Sequence, residues 1–252
     1  MNSLPSVSLM ELVTQIKKPV NSEKVTWGEK TVNKFIEMVL SRIINAERLQ
    51  VRVKASLKQL ARGELDALAI DMFGFLLRRS LRVTEFRFDI TAAAVDIQTI
   101  MRQRQIELLH PSEGSLRMVI SQEQLTEGLN AQLVSASDEQ VQLKQVNCEL
   151  GTDGAIAFHF DWISAGEMVS GSCTTTPRIN PNGDVIVLDQ WKVEEKEPPV
   201  ELVKAVMTQV SDILSLKDIA NQGTAFNFQQ IDIEAGNITV RATTHIDQFP
   251  SA

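Results

Sequence analysis

From Leu49 to Lys58 the chain alternates strictly. Leu49, Val51, Val53, Ala55 and Leu57 are apolar, and Gln50, Arg52, Lys54, Ser56 and Lys58 are polar. A period of two fits only an extended strand with one buried face and one wet face, because successive side chains point to opposite sides of a sheet. The residues around Ala61-Arg62-Gly63-Glu64 read as a hairpin connection, and a second strand is expected from about Leu65 to Leu77. Arg78-Arg79-Ser80 turns the chain again. A third strand is expected from Leu81 to Ile90, with Phe86, Phe88 and Ile90 on one face and Glu85, Arg87 and Asp89 on the other. At roughly ten to thirteen residues these strands exceed the usual mode of about five or six. Long antiparallel strands twist and coil, and so tend to curl around something.

The segment just before them supplies a candidate. Between Glu29 and Arg48, Val32, Phe35, Ile36, Val39, Leu40, Ile43 and Ile44 follow helical spacing, with Glu37, Arg42 and Glu47 between them. Burying seven such side chains is worth about 10–20 kcal/mol as an upper bound, so this helix must be covered. The expected architecture is therefore α+β: a long curved antiparallel sheet wrapped around amphipathic helices.

The same theme recurs downstream. Ser115–Ile120 reads as a strand, and 92–109 as a mixed region. Ser121 with Gln124 three residues on forms a capping box, opening a helix whose face carries Leu125, Leu129 and Leu133. Strands are expected at about Val141–Leu150, Ala155–Ile163, Met168–Thr176 and Asp184–Lys192, separated by the turn signals of residues 151–154 and 181–184. Pro198-Pro199 opens a third helix to about Leu214, with Leu202, Val203, Val206, Met207, Val210, Ile213 and Leu214 on its apolar face. Strands at about Ala225–Glu234 and Asn237–Asp247 follow. Helix followed by meander occurs twice, too loosely to be a sequence repeat. Nothing demands a domain boundary: residues 29–248 are expected to form one domain, behind a leader of residues 1–28 and ahead of a tail of residues 249–252.

Charge limits the partners. The chain carries 25 basic and 32 acidic residues, a net of −7. Residues 42–117 hold 13 basic and 9 acidic side chains, whereas residues 118–252 hold 7 and 19. So acidic a chain is a poor nucleic-acid binder unless one face is locally basic, and no nucleic-acid partner is expected. The basic part offers such a face, and it equally suits anionic lipid headgroups; Arg78, Arg79 and Arg82 are the candidates for headgroup or membrane contact. In the leader, Val7, Leu9, Met10, Leu12, Val13 and Ile16 precede Lys17, Lys18 and Pro19. Such a segment lies on a membrane surface, docks on its own domain, or stays loose. No secretory signal and no run of roughly 18 apolar residues is seen, so the expected location is cytoplasmic, peripheral to an internal membrane if it meets one.

Signatures of chemistry do not appear. No GxSxG elbow, Walker loop or GxGxxG occurs. His110, His159 and His245 have no second ligand at metal spacing, and Cys148 and Cys173 form no CxxC. The two cysteines are expected to be reduced and partly buried. No enzyme activity, cofactor or metal is expected.

Three stretches resemble a known family. Residues 53–89 (VKASLKQLARGELDALAIDMFGFLLRRSLRVTEFRFD), 120–130 (ISQEQLTEGLN) and 201–242 (ELVKAVMTQVSDILSLKDIANQGTAFNFQQIDIEAGNITVRA) are similar to the start, the central motif and the C-terminal part of the LmeA-type phospholipid-binding family. The branch most resembled is the intracellular one, without a signal peptide. The resemblance implies a fold like that of tubular lipid-binding modules, an apolar groove, and the binding or transfer of a phospholipid or other apolar ligand. It brings no catalytic residues. The groove is then expected between helix and sheet, lined by Val32, Phe35, Ile36, Val39, Leu40 and Ile43 with Val51, Val53 and Phe86. The alternative is a protein-interaction scaffold of the same fold with a filled core and no ligand.

Overall fold

The computed structural model describes residues 33–34, 37–38, 40–41, 44–55, 59, 63–78, 81–94, 108–133, 141–193, 196–220, 223–234 and 236–247. Strands dominate, with few helices. The strands are β1 (Arg48–Lys54), β2 (Glu64–Arg78), β3 (Leu81–Ala94), β4 (Ser112–Ser121), β5 (Val141–Leu150), β6 (Ile156–Ser164), β7 (Glu167–Thr175), β8 (Arg178–Ile179), β9 (Ile186–Val187), β10 (Trp191–Val193), β11 (Thr224–Glu234) and β12 (Asn237–Ile246). The helices are α1 (Gln122–Leu133), α2 (Val200–Leu214) and the single turn α3 (Lys217–Ala220). Asn33, Lys34, Glu37, Met38 and Leu40 are helical too, within the helix expected before β1.

The long strands predicted from alternation are present, and β2 and β3 run to 15 and 14 residues. They do not share one sheet with everything else. A six-stranded sheet has the order β1-β2-β3-β4-β12-β11, and a four-stranded sheet the order β10-β7-β6-β5. All their pairings are antiparallel. A two-stranded β8–β9 ribbon stands beside them. The twofold helix-then-meander pattern is real: a helical stretch precedes β1-β2-β3, and α1 precedes β5-β6-β7.

The alternation of β3 slips twice. Leu81 and Val83 are buried, then Phe86, Phe88 and Ile90, then Ala93. The first slip lies opposite Gly74, whose φ of 60° bends β2 at that point. Beyond Ile90 the strand continues four residues further than expected, through Ala92 at a φ of 52°.

Helix α1 opens with the predicted capping box. The Gln124 amide donates to Ser121 Oγ at 3.2 Å, and the Ser121 amide donates to Gln124 Oε1 at 3.3 Å. The helix packs between β3 and β5, with Leu125 and Leu129 fully buried. Its polar residues Gln122, Thr126 and Asn130, one turn apart, serve the free edge of β5. Their side-chain oxygens accept from the amides of Leu150, Cys148 and Val146 at 3.0, 3.1 and 2.9 Å, and Asn130 Nδ2 donates to the Val146 carbonyl at 2.7 Å. An open strand edge is a template for unwanted pairing, and this one is occupied by a helix. A related contact holds the edge strand of the larger sheet, where the Val53 amide donates to Asn33 Oδ1 at 2.9 Å.

Helix α2 buries Val203, Val206, Met207, Val210, Ile213 and Leu214, while Leu202 is half-buried. At its end Ser211 Oγ donates to the Ile186 carbonyl, and Ser215 Oγ accepts from the Ile186 amide at 2.8 Å. That clamp explains one departure from expectation. Residues 184–192 do not form one strand: Ile186–Val187 pair with β8 under α2, and Trp191–Val193 pair with β7. Buried side chains of both sheets and of α1 and α2 form one continuous cluster. The leader, residues 95–107, and the side chains of Leu133 and of most of the helix before β1 lie outside the described residues.

Candidate functional site

The register of the six-stranded sheet assembles a broad apolar face. One row across all six strands is Val51, Ile70, Phe88, Leu116, Ala242 and Phe228. The row on one side is Leu49, Met72, Phe86, Met118, Val240 and Ile231. The row on the other is Val53, Leu68, Ile90, Gly114, Thr244 and Phe226. Of these eighteen positions only Gly114 and Thr244 are not apolar side chains. Aromatic rings cluster on it: Phe75 and Phe86 lie 5.2 Å apart, Phe86 and Phe88 stack at 6.5 Å, and Phe226 and Phe228 stack at 5.9 Å. Covering that face drives the sheet to fold, and alternation guarantees that the opposite face is polar.

The opposite face carries the charges. Asp71, Arg87, Arg117 and Arg241 stand side by side in register. Asp71 is buried beneath Arg52 at 2.7 Å and Arg87 at 3.6 Å. Arg117 pairs with Glu85 at 2.5 Å. His245 Nδ1 lies 2.6 Å from Glu113 Oε1, and the hydrogen bond to that carboxylate holds the His245 pKa above its ordinary value.

The expected site residues fall as follows. Val51, Val53 and Phe86 are buried and sit on the apolar face, one in each row, and Leu40 is buried in the same cluster. Val32, Phe35, Ile36, Val39 and Ile43 lie outside the described residues, as do the side chains of Arg78 and Arg79. Arg82 donates to the Gly74 carbonyl at 2.7 Å, so at least one of its donors serves its own hairpin. Sequence reasoning missed β4, β11 and β12 as contributors. Their alternation is visible (Leu116, Met118, Ile120; Phe226, Phe228; Ile238, Val240, Ala242), but nothing local says which sheet they join.

The chemistry sought in the sequence does not converge. His159 is half-exposed and faces exposed Glu149 at 3.6 Å, so no buried histidine–carboxylate pair forms there. Cys148 and Cys173 are buried and form no disulfide. In register they flank Phe158 on three successive strands, about 10 Å apart and beyond disulfide reach. Burial pushes the Cys148 thiol up to about 12, so it is no nucleophile at neutral pH. Among the described residues no cluster of three metal-ligating side chains occurs, and no helix is long and apolar enough to cross a membrane.

With this face in view the family comparison is informative. A family model described as LmeA-like phospholipid-binding matches residues 26–243. The chain belongs to that family. The match runs through every strand of the apolar face, ending within β12. No curated protein and no solved structure gives a significant match. For an LmeA-like chain, a phospholipid is the ligand class that the family carries.

Proposed function

We propose that this protein binds the acyl chains of a phospholipid on the apolar face of its six-stranded sheet, without catalysis, and passes the lipid to or from a membrane. The observation that carries this reading is the face itself: three rows across six strands, apolar at sixteen of eighteen positions, in a chain of a phospholipid-binding family. In this reading the sheet curls about the helix before β1. Val32, Phe35, Ile36, Val39, Leu40 and Ile43 then close the groove over Val51, Val53 and Phe86. Arg78 at the end of β2 and Arg79, next in the sequence, take the headgroup or the membrane surface, and Arg82 supports them. The protein works in the cytoplasm, at the surface of an internal membrane.

The competing reading is a scaffold with a filled core. It draws on the depth of burial, since Leu40, Ile70, Met118 and Val240 are each at most 1% exposed. Native mass spectrometry separates the two. The purified full chain, mixed with phosphatidylglycerol vesicles, should carry lipid adducts. Val53→Trp, filling the groove, should cut the loaded fraction at least severalfold, while Arg52→Trp on the opposite face should leave it unchanged. No adduct in any form would favour the scaffold.

A further inference from the structure

The apolar face has one polar side chain among its eighteen positions, Thr244, and it stands next to Gly114 in register. One pair further along, Ile246 of β12 lies between Ser112 and Thr224. Thr244 and Thr224 are 1% and 2% exposed. Neither Oγ1 has a hydrogen-bond partner among the described residues. Other enclosed hydroxyls do: Thr126 Oγ1 accepts from the Cys148 amide, Thr175 Oγ1 donates to the Gln190 carbonyl, and Ser215 Oγ accepts from the Ile186 amide. A buried hydroxyl without a partner costs stability, and valine would fill the same space at no such cost. Gly114 makes room for one of the two, since a Cβ there would come within 2.9 Å of Thr244 Oγ1.

Two unpaired donors at one end of an otherwise apolar face are suited to an acceptor that arrives with an apolar body. The three rows carry no basic side chain; Arg52, Arg87, Arg117 and Arg241, beside them in register, occupy the opposite face. A phosphate placed there would be an uncompensated buried charge. A neutral carbonyl would not. Thr224 and Thr244 are diagonal neighbours across the β11–β12 pair, roughly 7–8 Å apart in backbone.

We propose that Thr224 and Thr244 form a polar subsite that donates hydrogen bonds to the ester carbonyls of a bound glycerolipid, fixing how far its acyl chains slide along the face. The proposal rests on the lipid-binding reading above. Its test uses the full chain with vesicles of dioleoyl phosphatidylglycerol, and with vesicles of the diether analogue of the same headgroup and chains, read as loaded fraction by native mass spectrometry. The wild type should load the diester about tenfold better than the diether, as expected for roughly one hydrogen bond's worth of discrimination. Thr224→Val with Thr244→Val should bring diester loading down to the diether level, with the melting temperature unchanged or raised. Thr224→Ser with Thr244→Ser should keep the preference. Equal loading of both lipids by the wild type and the valine variant overturns the subsite and leaves lipid binding standing. Loss of diester loading accompanied by a fall in melting temperature also overturns it, because the hydroxyls are then structural. Failure of the wild type to load either lipid overturns the lipid-binding reading itself.

Discussion

Asn130→Leu should destabilise the protein by about 2–4 kcal/mol, measured by urea unfolding. The leucine keeps the size of the side chain but removes both partners of Val146, whose amide and carbonyl bond to Asn130 at 2.9 and 2.7 Å. Val146 is fully buried, so its two backbone groups would lose their partners out of reach of water. Each such loss costs about 1–3 kcal/mol. Thr126→Val removes only the acceptor for the Cys148 amide and should cost about half as much. Amide exchange provides an independent check: Val146 and Cys148 should exchange faster in Asn130→Leu than in the wild type. An unchanged midpoint would mean that α1 does not hold the β5 edge through these bonds.

Phe88→Ala should cost about 3–5 kcal/mol, the range for removing a buried aromatic ring from a packed core. Phe88 is 7% exposed, lies between Ile70 and Leu116 in the central row, and stacks on Phe86. For a chain of this size each kcal/mol moves the melting temperature by roughly 2–4 °C, so calorimetry should show a drop of about 6–20 °C. Ser115→Ala, on the exposed face of the neighbouring strand, should fall within about 0.5 kcal/mol of the wild type. A small effect of Phe88→Ala would mean that Phe88 is not packed against Ile70, Leu116 and Phe86.

The parts of this fold that were legible are those written in local periodicity. Residues 49–54 and 85–90 predict their strands and buried faces because alternation leaves no second arrangement. Ser121 and Gln124 predict the start of α1 because a capping box is a contact between residues three apart. The partition into two sheets was not legible. β4 pairs with β12 across more than a hundred residues, and no turn signal encodes that closure. The segment 184–192 reads as one strand in isolation, yet Ser211 of α2 and its C-cap Ser215 hold Ile186 away from β7. Nor could periodicity single out Thr244. In sequence it is one threonine in an alternating strand, and it becomes distinctive only when β4, β11 and β12 surround it with apolar side chains. The residues chosen from the sequence for the ligand face, Val51, Val53 and Phe86, do lie on one face, because alternation fixes side. The half of that face made by β4, β11 and β12 came only from register.

Photocrosslinking with a phospholipid carrying a diazirine at mid-chain reads out whether acyl chains lie on the three apolar rows. After irradiation of the loaded full chain and peptide mapping, adducts are predicted on Met72, Phe86, Met118 and Val240. Few or none are predicted on Arg87, Ser115 or Thr239, their neighbours on the other face. Adducts concentrated on those outer residues, or spread without regard to face, would contradict it.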